Sequence, residues 1–327
     1  MDLYIDKENI ESFIENRKDE RYDDCLRVMQ KQLNLYFNFE KNELIRDEGL
    51  LAWFKFFTQG VGNDSKQYFS ESKFPVRPLK SNTHTHLSPN QLSSIYLLSD
   101  EKIDICIASG ALLIGKPSEE IKVISMLFFN QEDYSFDKKF KIGGEYLTSW
   151  SDLIDYSLPV SDIIIVDSFI LSDSSLINSN LIELLKTLVV KAKCKVNIII
   201  YTNIDKSAVS YADLSSIIRK AVESVTGISP NFTLIQYRDQ RGVASFSEHD
   251  RTILTNYFRM YSGDTFNYFL SNGQKTTKGR ELHYSSFGKR ENHSLALELI
   301  TDIERNIKQI SKEAISGDGK SNLINFS

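Results

Sequence analysis

The fold is decided by one short run, Ile163-Ile164-Ile165-Val166, which has the length of a strand and no polar position. Such a run fits a strand that is covered on both faces of a sheet. Segments of helix and strand character alternate after it: a helix at 176–192, a strand at 196–201, a helix at 212–225, strands at 233–237, 251–258 and 282–287, and a closing amphipathic helix at 294–310. This alternation predicts an α/β sheet domain with right-handed crossovers over residues 159–327.

Residues 1–158 predict a second domain, of mixed α+β type. In its first 57 residues, apolar side chains recur at steps of three and four, as one helix face requires: Leu26, Met29, Leu33, Tyr36 and Phe37. Residues 61–89 are polar and interrupted by prolines, which favours a long loop. Short apolar runs at 103–108, 111–114 and 121–129 predict paired strands with turns at Gly110 and at Gly115-Lys116-Pro117, and residues 147–158 predict a helix.

Length and composition are those of a globular protein with two domains. The chain has 327 residues, 41% hydrophobic and 25% charged, which is longer than one core usually organises. No apolar run approaches a membrane span, and the start lacks the pattern of a secretory signal. The cysteines, Cys25, Cys106 and Cys194, are far apart and lack metal-ligand spacing. We therefore expect a cytoplasmic protein with reduced thiols, no membrane contact, no cofactor and no metal.

The charge is uneven along the chain. The net charge is −5, which argues against indiscriminate coating of nucleic acid. Residues 1–50 carry 13 acids and 8 bases, whereas residues 236–295 carry 9 bases and 6 acids. Solvated surface accounts for both segments. The functional alternatives are a protein-docking role for the N-terminal domain and ligand binding for the basic segment.

Residues 249–263 carry a spaced polar motif. It consists of His249-Asp250-Arg251-Thr252-Ile253-Leu254-Thr255-Asn256 followed by Gly263, or H-x-R-x4-N-x6-G. Residues i and i+2 of a strand face the same way, so His249 and Arg251 can point at one phosphate. The same residues also fit a structural role, in which His249 caps a turn and Arg251 pairs with Asp167 or Asp162 of a neighbouring strand.

The motif resembles the H-x-K-x4-D-x6-G signature of the phospholipase D-like superfamily, and the resemblance covers about residues 160–310. Members hydrolyse phosphodiesters where two motif copies converge, within one chain or across a homodimer. The resemblance implies that His249 would attack phosphorus and that residue 251 would hold phosphoryl oxygens. Residues 248–251 and 262–269 are more specifically similar to the phospholipase D-like C-terminal domain of MIT-domain proteins. That branch is non-catalytic, and it also carries a His-Asp-Arg triplet, a glycine and aromatic residues.

Departures from the enzyme pattern favour binding over catalysis. Arg251 replaces the lysine, and a guanidinium still binds phosphate bidentately. Asn256 replaces the aspartate that would orient a histidine, and its amide supplies no negative charge. Asp264 places an anion beside Gly263. The chain holds one copy of the motif, so catalysis would require a symmetric homodimer.

The predicted ligand-binding residues are His249, Arg251, Asn256, Gly263, Asn267, Lys289 and Arg290, with His249 as nucleophile only if the protein is an enzyme. A basic cluster interleaved with Tyr284 and Phe287 is the best nucleic-acid patch on the chain, and it comprises Lys275, Lys278, Arg280, Lys289 and Arg290. His283 and His293 follow the motif and can approach the same pocket.

Two other patterns are weaker. Residues 110–116 match the G-x4-G-K part of a phosphate-binding loop, but Pro117 removes the hydroxyl that would bind magnesium. A strand turning at Gly115-Lys116-Pro117 fits this apolar segment better. His84-Thr85-His86 lacks a nearby carboxylate or cysteine and fits a solvated loop better than a metal site.

Three functions are consistent with these residues. The first is a non-catalytic phospholipase D-like subunit that binds a phosphate-bearing ligand or a protein partner in a larger assembly. The resemblance implies that such an assembly is a bacterial nucleic-acid-handling or phage-defence complex. The second is a homodimeric phosphodiesterase or nuclease with His249 as nucleophile. The third is a nucleic-acid-binding subunit whose affinity falls with salt. The degenerate motif favours the first.

Overall fold

The computed structural model describes residues 1–37, 41–58, 94–99, 113–128, 136–143, 147–238, 251–276 and 281–326. The chain divides into two units. The first comprises Met1–Phe136 and Ser286–His293, and the second comprises Asp137–Ser285 and Ser294–Ser327. The boundary predicted after residue 158 lies inside the second unit, because a strand at Asp137–Lys141 pairs with a strand of that unit.

A parallel four-stranded sheet with the order β2-β1-β3-β4 forms the centre of the first unit. The unit contains β1 (Asp2–Ile5), α1 (Lys7–Glu15), α2 (Glu20–Gln32), β2 (Asn34–Phe37), α3 (Lys41–Arg46), α4 (Glu48–Thr58), β3 (Ser94–Leu97), β4 (Leu113–Gly115) and α5 (Glu120–Ser125). Leu3 and Ile5 are buried on one face of β1. On the other face, Tyr4 stacks on Tyr36 and Tyr96, with ring centroids 4.8 and 4.9 Å apart.

Several sequence predictions for this unit are corrected. Two strands interrupt the helical start, and Tyr36 and Phe37 lie on β2 instead of a helix. The strand predicted at 121–129 is helical over Glu120–Ser125, because Val123, Ile124 and Leu127 are buried at helical spacing. The turn after Gly115 therefore joins a strand to a helix and does not close a hairpin. The predicted loop at 61–89 and strand at 103–108 lie outside the described residues.

The second unit holds an eight-stranded mixed sheet with the order β12-β8-β7-β6-β9-β10-β11-β5. Its strands are β5 (Asp137–Lys141), β6 (Asp162–Val166), β7 (Asn197–Asn203), β8 (Asn231–Tyr237), β9 (Arg251–Thr255), β10 (Phe258–Ser262), β11 (Glu281–Ser286, whose last residue belongs to the first unit) and β12 (Ile315–Gly317). β6, β7 and β8 are parallel, whereas β9 runs antiparallel to both of its neighbours, β6 and β10. The protein is therefore of the α/β class.

The helices of this part of the chain connect the strands. They are α6 (Glu183–Val189), preceded by a π-helical turn at Asn178–Ile182, α7 (Tyr211–Thr226) and α8 (Arg290–Gln309, whose residues from Ser294 onward belong to the second unit). The sequence predictions of β6, β7, β8, β11, α7 and α8 are confirmed within a few residues. Their apolar runs were long enough to distinguish the alternating or continuous pattern of a strand from the three- and four-residue steps of a helix.

Two predictions for the second unit are corrected. The single strand expected over 251–258 is two strands, because the chain turns at Asn256 and Tyr257. The Thr255 hydroxyl accepts hydrogen bonds there from the backbone N–H groups of Tyr257 and Phe258, at 3.2 and 3.1 Å. The helix expected over 147–158 is a 3₁₀ helix at Trp150–Tyr156. Trp150 is buried against Tyr268, with ring centroids 5.1 Å apart.

None of the described helices combines the length and apolar character needed to cross a membrane. Cys25 and Cys194 are buried thiols, and Cys106 lies outside the described residues.

Candidate functional site

Arg251, the first described residue of the sequence motif, lies where the strand order of the large sheet reverses. The chain proceeds from β6 to β7 to β8 on one side and then returns to place β9 on the other side of β6. Val166, at the carboxyl end of β6, is in register with Thr252 of β9. Arg251 and Asp167 therefore lie at the same edge of the sheet. In open α/β sheets, ligands bind outside the carboxyl ends of the strands at such a switch point.

Asp167 is a fully buried carboxylate that organises this edge. Its oxygens accept hydrogen bonds from the Phe169 N–H at 2.8 Å, the Phe266 N–H at 2.9 Å and the Thr265 hydroxyl at 2.7 Å. Burial raises the pKa of Asp167, while these hydrogen bonds and the charge of Arg251 oppose the rise. The carboxylate thereby fixes the loop after β6 to the loop after β10.

Arg251 opens β9 and is partly exposed. Its guanidinium donates a hydrogen bond of 2.7 Å to the Gly263 carbonyl and lies 5.8 Å from the centre of the Phe169 ring. Two of the predicted site residues, Arg251 and Gly263, are thus brought together. A side chain at position 263 would meet open space, so the contribution of Gly263 is its carbonyl and not a steric need for glycine.

Sequence analysis missed three further side chains at this edge. The Phe169 ring is half-buried, and the Lys206 ammonium lies 5.9 Å from its centre. Arg238 follows β8 and lies 3.5 Å from Asp205 in an exposed ion pair. Each residue follows a strand closely, and that position was the signal available in the sequence.

Asn267 reaches the same edge but is buried. Its amide nitrogen donates to the Phe169 carbonyl at 3.0 Å. Its amide oxygen has no hydrogen-bond partner among the described residues. Asn267 therefore supports Phe169 from below and does not present itself to a ligand on the surface.

The prediction that Asn256 shares a ligand with Arg251 is corrected. Asn256 lies at the far end of β9, and five residues of strand span roughly 16 Å. Its amide oxygen accepts hydrogen bonds from the backbone N–H groups of Ser161 and Asp162, at 2.8 and 2.9 Å. Asp162 belongs to this opposite edge as well, where Asn322 and Ser321 donate to it. Pairing of Arg251 with Asp162 is therefore wrong.

The other predicted residues divide among the second unit, the first unit and the part of the chain outside the described ranges. His249, Lys278 and Arg280 lie outside the described residues, as do His84 and His86. Lys289, Arg290 and His293 belong to the first unit. His283 stacks on Tyr261 at 4.7 Å, and the Lys275 side chain packs against Gly143. Within the described ranges, no group of three or more His, Cys, Asp or Glu side chains is arranged to hold a metal ion.

Comparisons with known proteins add little to this geometry. No family model matches the sequence, and no curated protein matches it. Among solved structures, the chain is similar to TrmBL2, an archaeal chromatin protein described with a mode of DNA binding. The TM-score is 0.27 and the sequence identity is 9%, over 57% of this chain and 58% of that chain. A similarity of this size supports no statement about fold or ligand. The fold and the site by themselves define an α/β protein with cations and aromatic rings at the carboxyl edge of its larger sheet.

Proposed function

We propose that this protein is a phosphate-binding module of the phospholipase D-like type, which holds a phosphate-bearing ligand without cleaving it. The observation that carries the proposal is the position of Arg251 at the switch point, over Phe169 and against the Gly263 carbonyl. A guanidinium has five N–H donors in a fixed fork that matches phosphate.

The local charges are compatible with an anionic ligand. Three cations, Arg251, Lys206 and Arg238, come from three different strand ends of the edge. The described acids nearby are Asp167, Asp205 and Asp264. Asp167 is buried and satisfied by three donors, and Asp205 pairs with Arg238. The edge is therefore a mixed site in which Arg251 is the best-positioned cation.

The proposal that the ligand is bound but not cleaved rests on features of the motif other than Asn256. Because Asn256 anchors the opposite edge, its replacement of an aspartate has no bearing on chemistry beside Arg251. The two arguments that stand are the exchange of lysine for arginine and the single copy of the motif in 327 residues. We further propose, from the resemblance of residues 160–310, that the module works as a subunit of a bacterial complex that handles nucleic acid.

Calorimetric titration with inorganic tripolyphosphate tests the phosphate site. Arg251→Ala is expected to weaken binding about tenfold or more, because hydrogen bonds to charged groups contribute about 1.5–3 kcal/mol. Arg251→Lys should retain part of the affinity, since the charge remains but the fork is lost. Arg305→Ala is the matched control, because Arg305 is an exposed arginine paired with Asp302 on α8. Equal affinity of wild type and Arg251→Ala, or no binding by wild type, would refute the proposal.

Cleavage is tested separately with labelled single- and double-stranded DNA and RNA. We expect no products from the wild type or from His249→Ala. Products that appear with the wild type and vanish in His249→Ala would replace the proposal with the nuclease alternative.

A further inference from the structure

We propose that the ligand of this edge is a nucleotide unit, an aromatic base beside a phosphate, presented by single-stranded nucleic acid. This inference rests on the proposed function, because it takes Arg251 as the phosphate contact. It adds that two partly exposed rings of this edge, Phe169 and Tyr237, offer stacking faces for bases.

The Phe169 backbone is held on both sides. Its N–H donates to Asp167 at 2.8 Å, and its carbonyl accepts from the Asn267 amide at 3.0 Å. Both partners are buried, so the backbone that carries the half-buried ring is fixed by the interior of the protein. A fixed aromatic ring loses little conformational entropy when a planar group stacks on it.

Two cations from different elements flank the same ring. The Arg251 guanidinium carbon lies 5.8 Å and the Lys206 ammonium 5.9 Å from its centre. Arg251 opens β9, whereas Lys206 ends the short 3₁₀ helix Ile204–Lys206 that follows β7. A phosphate between these cations would place its attached base within reach of Phe169.

A second partly exposed ring of this edge belongs to Tyr237. Tyr237 ends β8 and stacks on Tyr201 of β7, with ring centroids 4.9 Å apart. The Tyr237 hydroxyl lies 2.6 Å from the hydroxyl of Ser168, which precedes Phe169. The buried Tyr201 therefore backs the Tyr237 ring, the hydroxyl contact joins Tyr237 to the segment that carries Phe169, and Arg238 directly follows Tyr237.

Aromatic rings interleaved with cations are the arrangement by which proteins bind single strands. The cations follow the backbone, and each base stacks on a ring whatever its identity. The bases of a duplex are already stacked on one another and cannot also stack on protein rings. The partly exposed rings therefore favour an unpaired strand. The proposal therefore commits to a single strand bound with little sequence preference.

Fluorescence anisotropy tests this with a labelled oligothymidylate of about 12 nucleotides, a length within the usual site sizes. The controls are an abasic strand of the same length, a duplex and thymidine triphosphate. We expect the oligothymidylate to bind at least about fivefold more tightly than the abasic strand, which is the low end of stacking contributions. Phe169→Leu should remove that difference, and Phe169→Tyr should restore it. Phe56→Leu, at an exposed phenylalanine of the first unit, should leave it unchanged.

The outcomes separate this inference from the proposed function. If tripolyphosphate binds through Arg251 but Phe169→Leu has no effect on the oligothymidylate, the base contact is wrong and the phosphate site stands. If tripolyphosphate does not bind, the phosphate site itself fails. Tighter binding of the duplex, or equally tight binding of thymidine triphosphate, would overturn the single strand as the source of the nucleotide unit. Phe169→Leu should keep the far-ultraviolet circular dichroism spectrum of the wild type, which shows that the variant is folded.

Discussion

The side chain of Asn256 shows how a conspicuous motif residue can serve the fold alone. Its amide oxygen receives two backbone N–H groups at the start of β6 and the Ser161 hydroxyl at 3.1 Å. Asn256→Ala would leave those buried donors without an acceptor. We expect the free energy of unfolding to fall by about 2–4 kcal/mol, since each unsatisfied buried group costs about 1–3 kcal/mol. Urea denaturation measures this.

Asn272→Ala provides the control, because Asn272 is an exposed asparagine in a turn. It should change stability by less than about 0.5 kcal/mol, as surface substitutions usually do. Asn256→Ala should also leave tripolyphosphate affinity intact. A large loss of affinity in a folded Asn256→Ala protein would contradict the assignment of Asn256 to the opposite edge.

The sequence could predict Arg251 at the site but not the location of Asn256. Arg251 opens a strand, and a strand of this kind has a signal in the apolar pattern of the sequence. Asn256 depends on where that strand ends. The apolar residues of 251–258 continue through the turn, and only the Thr255 hydroxyl, which binds two backbone N–H groups, ends β9 early. That contact forms in the folded turn, and the sequence pattern did not indicate it.

At the scale of elements, strand length decided which predictions succeeded. β6 and β7 are buried at every residue and contain the apolar runs 163–166 and 198–201, so neither resembles an amphipathic helix. β1 and β2 have four residues each and alternate between buried and partly buried positions. Next to α2, Tyr36 and Phe37 of β2 extend the helical pattern of Leu26, Met29 and Leu33. Periodicity over four residues cannot distinguish a short strand from the end of a helix.

The C-terminal segment after β12 is held to β8 by a pH-sensitive contact. Asp318 accepts hydrogen bonds from the Phe232 N–H at 2.7 Å and from Arg219 at 2.6 Å. Burial acts to raise the pKa of Asp318, but these donors outweigh it, and the pKa lies below its usual value. The stabilising contribution is therefore complete above the unfolded pKa of about 3.9 and is lost as the pH falls through the folded pKa.

Asp318→Asn should reproduce that loss at neutral pH. We expect it to lower the free energy of unfolding by about 1 kcal/mol or less at pH 7, as is typical of exposed ion pairs. Comparing urea denaturation of both proteins as the pH falls below 4 tests the sign. The difference between them should shrink, and a difference that grows on acidification would contradict the contact. Lys186→Ala is the control, because it breaks an exposed pair with Glu183 within another helix, α6. Its difference from the wild type in urea denaturation should not show the same dependence on pH.

At the scale of the whole molecule, the first unit is completed by a distant segment. Phe287 is fully buried, the Ser286 N–H donates to the Phe136 carbonyl at 2.8 Å, and the Arg290 N–H donates to Gln32 at 3.1 Å. Gly288 is close to Leu127 and Phe136, where an added side-chain carbon would lie 2.8 and 2.9 Å from them. Residues 286–293 therefore fill a place in the core of this unit.

A fragment of residues 1–136 should consequently be less stable than the same fragment joined to 286–293 by a glycine–serine linker. We expect the joined fragment to have the higher Tm in thermal denaturation followed by circular dichroism, because it buries Phe287. Phe287→Ala in the joined fragment should remove most of the gain, at a typical cost of about 3–5 kcal/mol for a buried phenylalanine. Identical Tm values for both fragments would show that the segment is dispensable.

The order of synthesis gives the placement of residues 286–293 a further consequence. A ribosome reaches Ser286 about 150 residues after Phe136, or roughly 8–30 s later at 5–20 residues per second. During that interval, the nascent first unit has an unfilled place for Phe287 and Gly288. The amino-terminal unit therefore cannot complete its core before most of the carboxyl-terminal unit has been synthesised. Its last core segment emerges only when nearly nine-tenths of the chain has been translated.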